Sequence, residues 1–421
     1  MEKSSYRLIE THSKRTIVYT NIYIVNKELV YNTDKESPPS VPIFGNKHHW
    51  APKVSSINFN IKKEINLACY SSFFWVQNIG HCLFDMLYPV YVSMVRAGYE
   101  NEDFNVITSS IDGKGSFGYK AIEKFSGRKI IESSETSEVY KIKKLVCGTL
   151  GVGNVVMGKN PIMYGQNEYG SMTLFKERMM KRMGVGYSSE KNNKCIIIDN
   201  KRYSEQEKNN IHKTIHKLNK NIDIKYIYWN KDFDSFEEQL FEIGKTDIHI
   251  TSPGTGMMYM PFLKRGSINI NLGFMEHTQT NHARPNIKIE NPKKQNYLFP
   301  SFMEQYVCCT ADYVSTLYYN RFKYNNIEVV PLINLIKEAL VLLKHKVVLK
   351  KNYYIDMEVF KEYCSRDASS DLLCNHLTDI AFFPEMFVNE HPKAINQEFV
   401  NIELLRSIKD ELGYDRSYEV I

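Results

Sequence analysis

The chain has 421 residues, enough for two to three domains at roughly 150 residues each. Hydrophobic residues at 43% and charged residues at 24% are globular values, which excludes a disordered, collagen-like or disulfide-miniprotein chain. Lys+Arg 54 against Asp+Glu 48 leaves +6, which suits a small anionic ligand better than a nucleic-acid groove.

No run approaches the ~18–20 apolar residues of a membrane span, so no transmembrane segment is expected. The N-terminus has no apolar signal core, and no Asn-x-Ser/Thr acceptor occurs, so a cytoplasmic location is expected. Eight cysteines fall at irregular spacing in apolar surroundings, the pattern of buried free thiols in a reducing compartment. Cys364, Cys374 and His376 supply half of a zinc set without a second half, and no metal site is predicted.

In chain order, residues 16–31 are β-branched and aromatic and predict two strands about a turn at Asn26-Lys27-Glu28. Residues 33–53 predict a loop. Leu67–Tyr70 and Phe73–Trp75 predict buried strand, and a helix is expected from Asn78 to about Ala97. Strands near Phe104–Thr108, Ile130-Ile131 and Val139–Val146, with a helix Tyr119–Phe125, complete a first alternating run. A Gly-rich stretch, 148–154, precedes a helix Met172–Met183.

A second run follows. Strands Cys195–Asp199, Ile224–Trp229, Asp247–Ser252 and Ser267–Leu272 alternate with helices at 204–218, 235–244, 257–263 and 331–344. Ser235-x-x-Glu238 reads as a capping box. The expected organisation is a β-rich extension (1–65), two Rossmann-like domains facing a cleft (66–184 and 185–345) and a helical appendage (346–421). Ligands of such sheets bind outside the carboxyl ends of the strands.

Two segments carry chemistry. On the helix after residue 78, Ile79, Leu83, Met86, Leu87 and Val90 form one apolar side. Asn78, His81 and Asp85 fall on the other, with Asn78 at the N-cap and the His–Asp pair within reach of each other. A carboxylate beside an imidazole is general-base chemistry. Ser252-Pro-Gly254-Thr255-Gly256 links a strand to a helix, where free amides and close backbone approach favour phosphate. Asn200-Lys201-Arg202 follows the preceding strand and adds positive charge to the same edge. His277 and Arg284, in the loop after the last strand, are possible substrate contacts.

These segments, in this order, resemble glycosyltransferase family 61, which includes plant xylosyl- and arabinosyltransferases and animal O-GlcNAc transferases of the secretory pathway. The family pattern Asn-x-x-His-x-x-x-Asp is matched by Asn78-Ile-Gly-His81-Cys-Leu-Phe-Asp85. Its basic segment after the first strand of the second half is matched by Asp199-Asn-Lys201-Arg202, and its Phe-x-Glu-Gln helix by Phe236-Glu-Glu238-Gln239. Its His-Gly-Ala-Gly turn is matched by Pro253-Gly254-Thr255-Gly256, so Pro253 stands where the family has His. Asn269 or Asn271 stands where an acidic residue is usual.

The resemblance implies a GT-B-like α/β fold, with 66–184 as acceptor domain and 185–345 as nucleotide-sugar domain. It implies inverting, metal-independent transfer from a nucleotide sugar, with a UDP-sugar the expected donor, to a glycan or protein hydroxyl, with no cofactor. Asp85 is then the candidate base, oriented or shared by His81, with Asn78 beside them. Ser252, Gly254, Thr255, Gly256, Lys201, Arg202 and Gln239 are the nucleotide-sugar contacts. The alternative is a non-catalytic sugar-nucleotide-binding or assembly protein on the same fold. A hydrolase with Ser252 as nucleophile lacks the Gly-x-Ser-x-Gly elbow. The basic run 344–351 and the pair Asp232/Asp234 read as solvated surface, so neither a nucleic-acid partner nor a metal is expected.

Overall fold

The computed structural model describes residues 2–11, 14–34, 37–44, 48–56, 60–73, 75–148, 171–188, 193–220, 222–229, 231–252, 254–273, 314–319, 324 and 326–344. The chain is α/β and divides into two compact units, Met1–Val185 and Gly186–Ile421. The Gly-rich stretch beyond Gly148, Pro253, His277, Arg284, the cysteines from Cys308 onward and the appendage 346–421 lie outside the described residues.

The first unit is built on one mixed sheet. Strands β1 (Ser5–Thr11), β2 (Lys14–Val25) and β3 (Glu28–Asn32) form an antiparallel set. Asn26 and Lys27 both take positive φ, 50° and 71°, between the paired Val25 and Glu28, the geometry of a two-residue hairpin that follows strand twist. The stretch expected as loop holds three short strands: β4 (Val41–Phe44), β5 (His48–Trp50) and β6 (Lys53–Ser55). They are too short, and β4 too interrupted by Pro42, to show a period in sequence.

Then come β7 (Lys63–Tyr70), β8 (Asn105–Thr108), β9 (Ile131–Glu132) and β10 (Tyr140–Cys147), all mutually parallel. The sheet order is β6-β3-β2-β10-β7-β8-β9, with β1 also on β2. Within the parallel part the first strand, β7, lies between the second and the fourth. The chain direction of the crossovers therefore reverses there, a switch point where loops diverge and leave room for a ligand.

The helix after β7 runs as a π-helical segment, His81–Leu87, into α1 (Tyr88–Ala97). Pro89 has no N–H for the Asp85 carbonyl. The ladder instead closes from Tyr88 N–H to Leu83 O, one residue longer than an α-turn. α1 is buried on nearly all sides among the sheet, α2 (Phe117–Ser126) and α3 (Ser171–Arg182). Phe175 of α3 meets Phe84, Tyr88, Tyr91 and Phe125. The buried Arg178 guanidinium donates to the carbonyls of Phe125, Glu100 and Glu102, closing the end of α2.

The second unit holds a parallel sheet. Its strands are β11 (Cys195–Ile198), β12 (Ile224–Ile227), β13 (Ile248–Thr251), β14 (Ile268–Asn271) and β15 (Ser315–Tyr318), in the order β12-β11-β13-β14-β15. Its switch point lies between β11 and β13. α4 (Glu205–Leu218) and α6 (Val329–Lys344) pack together against Cys195, Ile197, Ile248, Ile250, Ile268 and Ile270. Alternation along the strands leaves Ile198, His249, Asn269 and Thr251 for the other face. There a 3-10 helix, Thr255–Phe262, packs beside α5 (Phe236–Gly244). The Ser204 capping box is complete. Ser235 caps α5 as expected, but Glu238 reaches Asp234 N–H, one residue short of a closed box.

Candidate functional site

In the first unit the loop after β7 delivers Asn78, His81 and Asp85 to the carboxyl edge of the parallel strands. Asn78 caps the helix as expected, its Oδ1 accepting from Gly80 N–H at 3.2 Å. His81 Nδ1 lies 2.5 Å from Asp85 Oδ2. With a carboxylate as partner, Nδ1 carries the proton and Nε2 is the basic nitrogen. The hydrogen bond to Asp85 holds the imidazole pKa above its ordinary value, although partial burial opposes it. The His81 side chain is 42% exposed and that of Asp85 only 10%. The imidazole is thus the accessible member of the pair, and the carboxylate orients it.

Trp75, expected as buried strand, is instead 58% exposed with φ +53°. Phe73 keeps a parallel bridge, to Ile111. The Trp75 ring lies against His81, centroids 5.3 Å apart at 56°. The Asp112 carboxylate, from the loop after β8, accepts from Trp75 N–H (3.2 Å) and Val76 N–H (3.0 Å). Neither residue carried a signal in the sequence, since a left-handed backbone at tryptophan has no compositional mark.

In the second unit the loops after β11 and β13 meet at the switch point. Gly254 has φ 144° and ψ −163°, a conformation open to glycine alone. A Cβ there would lie 3.2 Å from Arg202 Nη1 and 3.5 Å from Asn200 Nδ2. The Arg202 side chain therefore reaches over the glycine backbone. Asn200 Oδ1 accepts from Arg202 N–H at 3.0 Å and sets that turn. Gly256 is buried for a different reason. A Cβ would come 2.6 Å from Thr251 Oγ1 and 3.1 Å from Ile198 Cγ2, so its absence lets the 3-10 helix sit on the sheet. Thr255 and Lys201 are exposed at the same edge.

Other expected contacts are occupied internally. Gln239 is 2% exposed; its Nε2 donates to Trp229 O at 3.1 Å and its Oε1 accepts from Tyr259 O–H at 2.6 Å. It ties α5 to the 3-10 helix, and both ends of its amide are used. Ser252 is fully buried and bonded to Tyr203 O–H and Gly273 O, so it braces the turn from below. Asn269 Oδ1 lies 2.7 Å from His249 Nδ1, and Asn271 Oδ1 accepts from Gly273 N–H. Asp232 accepts from Tyr228 N–H, a turn role. Among the described residues no group of three or more His, Cys, Asp or Glu gathers to hold a metal. Cys69, Cys82, Cys147 and Cys195 are free and buried, and burial pushes each thiol pKa up. No described helix is long and apolar enough to cross a membrane.

No protein-family model matches the chain, and no curated protein matches it.

Proposed function

We infer that the chain is an inverting, metal-independent glycosyltransferase. It moves a sugar from a nucleotide-sugar donor, a UDP-sugar in the simplest case, to a hydroxyl of a glycan or protein acceptor. The observation that carries this reading is the Arg202 guanidinium over the Gly254 backbone at the second unit's switch point. A leaving diphosphate needs positive charge and a backbone it can approach closely, and both are provided there. The His81–Asp85 pair supports the reading with a base held at another strand edge.

In the reaction, His81 Nε2 takes the acceptor hydroxyl proton while Asp85 holds the Nδ1–H. The acceptor oxygen forms its bond to the anomeric carbon from the face opposite the diphosphate, and the bond to the diphosphate oxygen breaks. Charge developing on that oxygen is met by Arg202 and the amides about Gly254 and Thr255. The two units are then acceptor and donor halves of a GT-B-like enzyme of the family 61 type, working in the cytoplasm.

A second reading, a sugar-nucleotide-binding protein without turnover, is favoured by two features. Pro253 stands where the family has His, and Asn269 is committed to His249.

A thermal-shift screen against UDP-, GDP- and CMP-sugars tests both, because a ligand bound only by the folded state raises the Tm. At least one should stabilise the chain, Arg202→Ala should remove that stabilisation, and sugar transfer or donor hydrolysis should persist in EDTA. If none of the nucleotide sugars raises the Tm, both readings are wrong. Binding with no turnover selects the second.

A further inference from the structure

We propose that Trp75 is the platform on which a pyranose ring of the acceptor stacks, setting its hydroxyl against the His81 imidazole. The proposal deepens the glycosyltransferase reading by assigning an acceptor subsite.

The argument begins with what Trp75 does not do. At 58% exposure it adds little to the core, and an exposed indole alone requires no explanation. Its backbone does. A tryptophan at φ +53° costs about 1 kcal/mol or more, and such strain persists only where surrounding contacts over-determine it.

Those contacts are present. Asp112 accepts from the N–H groups of Trp75 and Val76, and Asn78 N–H donates to Trp75 O at 2.8 Å. The loop is clamped from the β8 side as well. A Cβ on Gly113 would lie 3.1 Å from both the backbone nitrogen and Oε1 of Gln77, and one on Gly118 would lie 2.0 Å from Val76 O. The fold thus holds an apolar ring in water, in a strained conformation, beside the pair read as the base.

The chemistry of the match is specific. A pyranose has a face of C–H groups and a rim of hydroxyls. Its C–H face can cover an indole and remove apolar area from water, while the rim stays wet. A ring stacked on Trp75 lies beside His81, whose ring centroid is 5.3 Å from the indole. A hydroxyl on its rim is then near the imidazole that removes its proton. A flat nucleobase could also stack on an indole, but among the described residues no Lys or Arg lies over the Trp75 ring, whereas Arg202 and Gly254 offer the donor its own place.

The test uses the full chain labelled with 5-fluorotryptophan. The sequence has three tryptophans, so three ¹⁹F resonances are expected, and Trp75→Phe assigns the one of interest. The probes are methyl β-glucopyranoside, methyl β-xylopyranoside, methyl β-galactopyranoside and methyl N-acetyl-β-glucosaminide, with mannitol as an acyclic polyol control and UDP as the nucleobase control.

At least one glycoside should shift the Trp75 resonance saturably, and mannitol should not. Trp75→Ala should weaken that glycoside about tenfold by saturation-transfer NMR, and Trp75→Phe should restore most of the affinity. A Trp75 resonance unmoved by every glycoside, or moved by UDP instead, overturns the proposal. The proposed function fails separately: if no nucleotide sugar raises the Tm while a glycoside still shifts Trp75, the platform stands without the transferase.

Discussion

His249 offers a quantitative test of the second unit. It is fully buried on β13; its Nδ1 faces Asn269 Oδ1 at 2.7 Å and its Nε2 has no hydrogen-bond partner among the described residues. Burial pushes its pKa down to about 4, while Asn269 and the Gly256 backbone pull the other way. The unfolded chain keeps a value near 6.5. The folded pKa is the lower one, so the unfolded state binds the proton first. The stability this group contributes is present above ~6.5 and is lost as pH falls toward about 4. Between pH 7 and pH 5 the loss works out at about 2 kcal/mol, and it levels near 3 kcal/mol below pH 4. Trp229 is the sole tryptophan of this unit, so a Trp50→Phe/Trp75→Phe background reports its unfolding alone. Urea unfolding at both pH values, for that background and for the same chain carrying His249→Gln, isolates the effect from that of the carboxylates. The variant should lose about 2 kcal/mol less on acidification. Equal losses would mean that His249 ionises at its ordinary value and that the burial argument is wrong.

The remaining predictions concern the two sites. Asp85→Asn removes the group that raises the His81 pKa, so the acidic limb of the pH–rate profile should move back toward about 6.5. In the same variant kcat should fall by about a hundredfold or more, with UDP-sugar binding retained in the thermal-shift assay. An unchanged limb would place the base elsewhere. Gly256→Ala forces a Cβ to within 2.6 Å of Thr251 Oγ1 and should destabilise the second unit by about 1–3 kcal/mol, read from the same urea assay. Asp112→Asn weakens the acceptor at Trp75 and Val76, so it should broaden or displace the Trp75 ¹⁹F resonance without moving that of Trp229.

Much of this architecture was legible because strand and helix periods differ. The runs Cys195–Ile198, Ile248–Thr251 and Ile268–Asn271 are short and rich in isoleucine, and the first two are followed by turn residues and a capped or Gly-closed helix. The His81–Asp85 contact followed from four-residue spacing alone and survives the π-helical segment. Spacing could not foresee that segment, because its cause is a missing donor at Pro89 in the next turn. The roles within the pair were not legible either. Sequence gives two titratable groups four apart, and only burial distinguishes the half-exposed imidazole from the covered carboxylate. Gln239 shows the limit of a motif: it occupies the expected position, yet a carbonyl at Trp229 and the hydroxyl of Tyr259 use both ends of its amide.

Strand order explains why the surviving candidates gather where they do. In the second unit β11 sits beside β13, although β12 lies between them in the chain. The helices leaving β11 and β13 therefore depart to opposite faces, and the loops between strand and helix have nothing packed between them. That is where Arg202 meets Gly254. In the first unit β7 stands beside β10 for the same reason, and the loop leaving β7 carries Trp75, Asn78 and His81. Not every polar residue near these edges is accessible: Gln239 on α5 is bonded at both ends of its amide, and Ser252 lies buried beneath the turn. At a switch point the fold leaves side chains and backbone amides accessible, and there a loop can hold a strained tryptophan or an open glycine without disturbing the core.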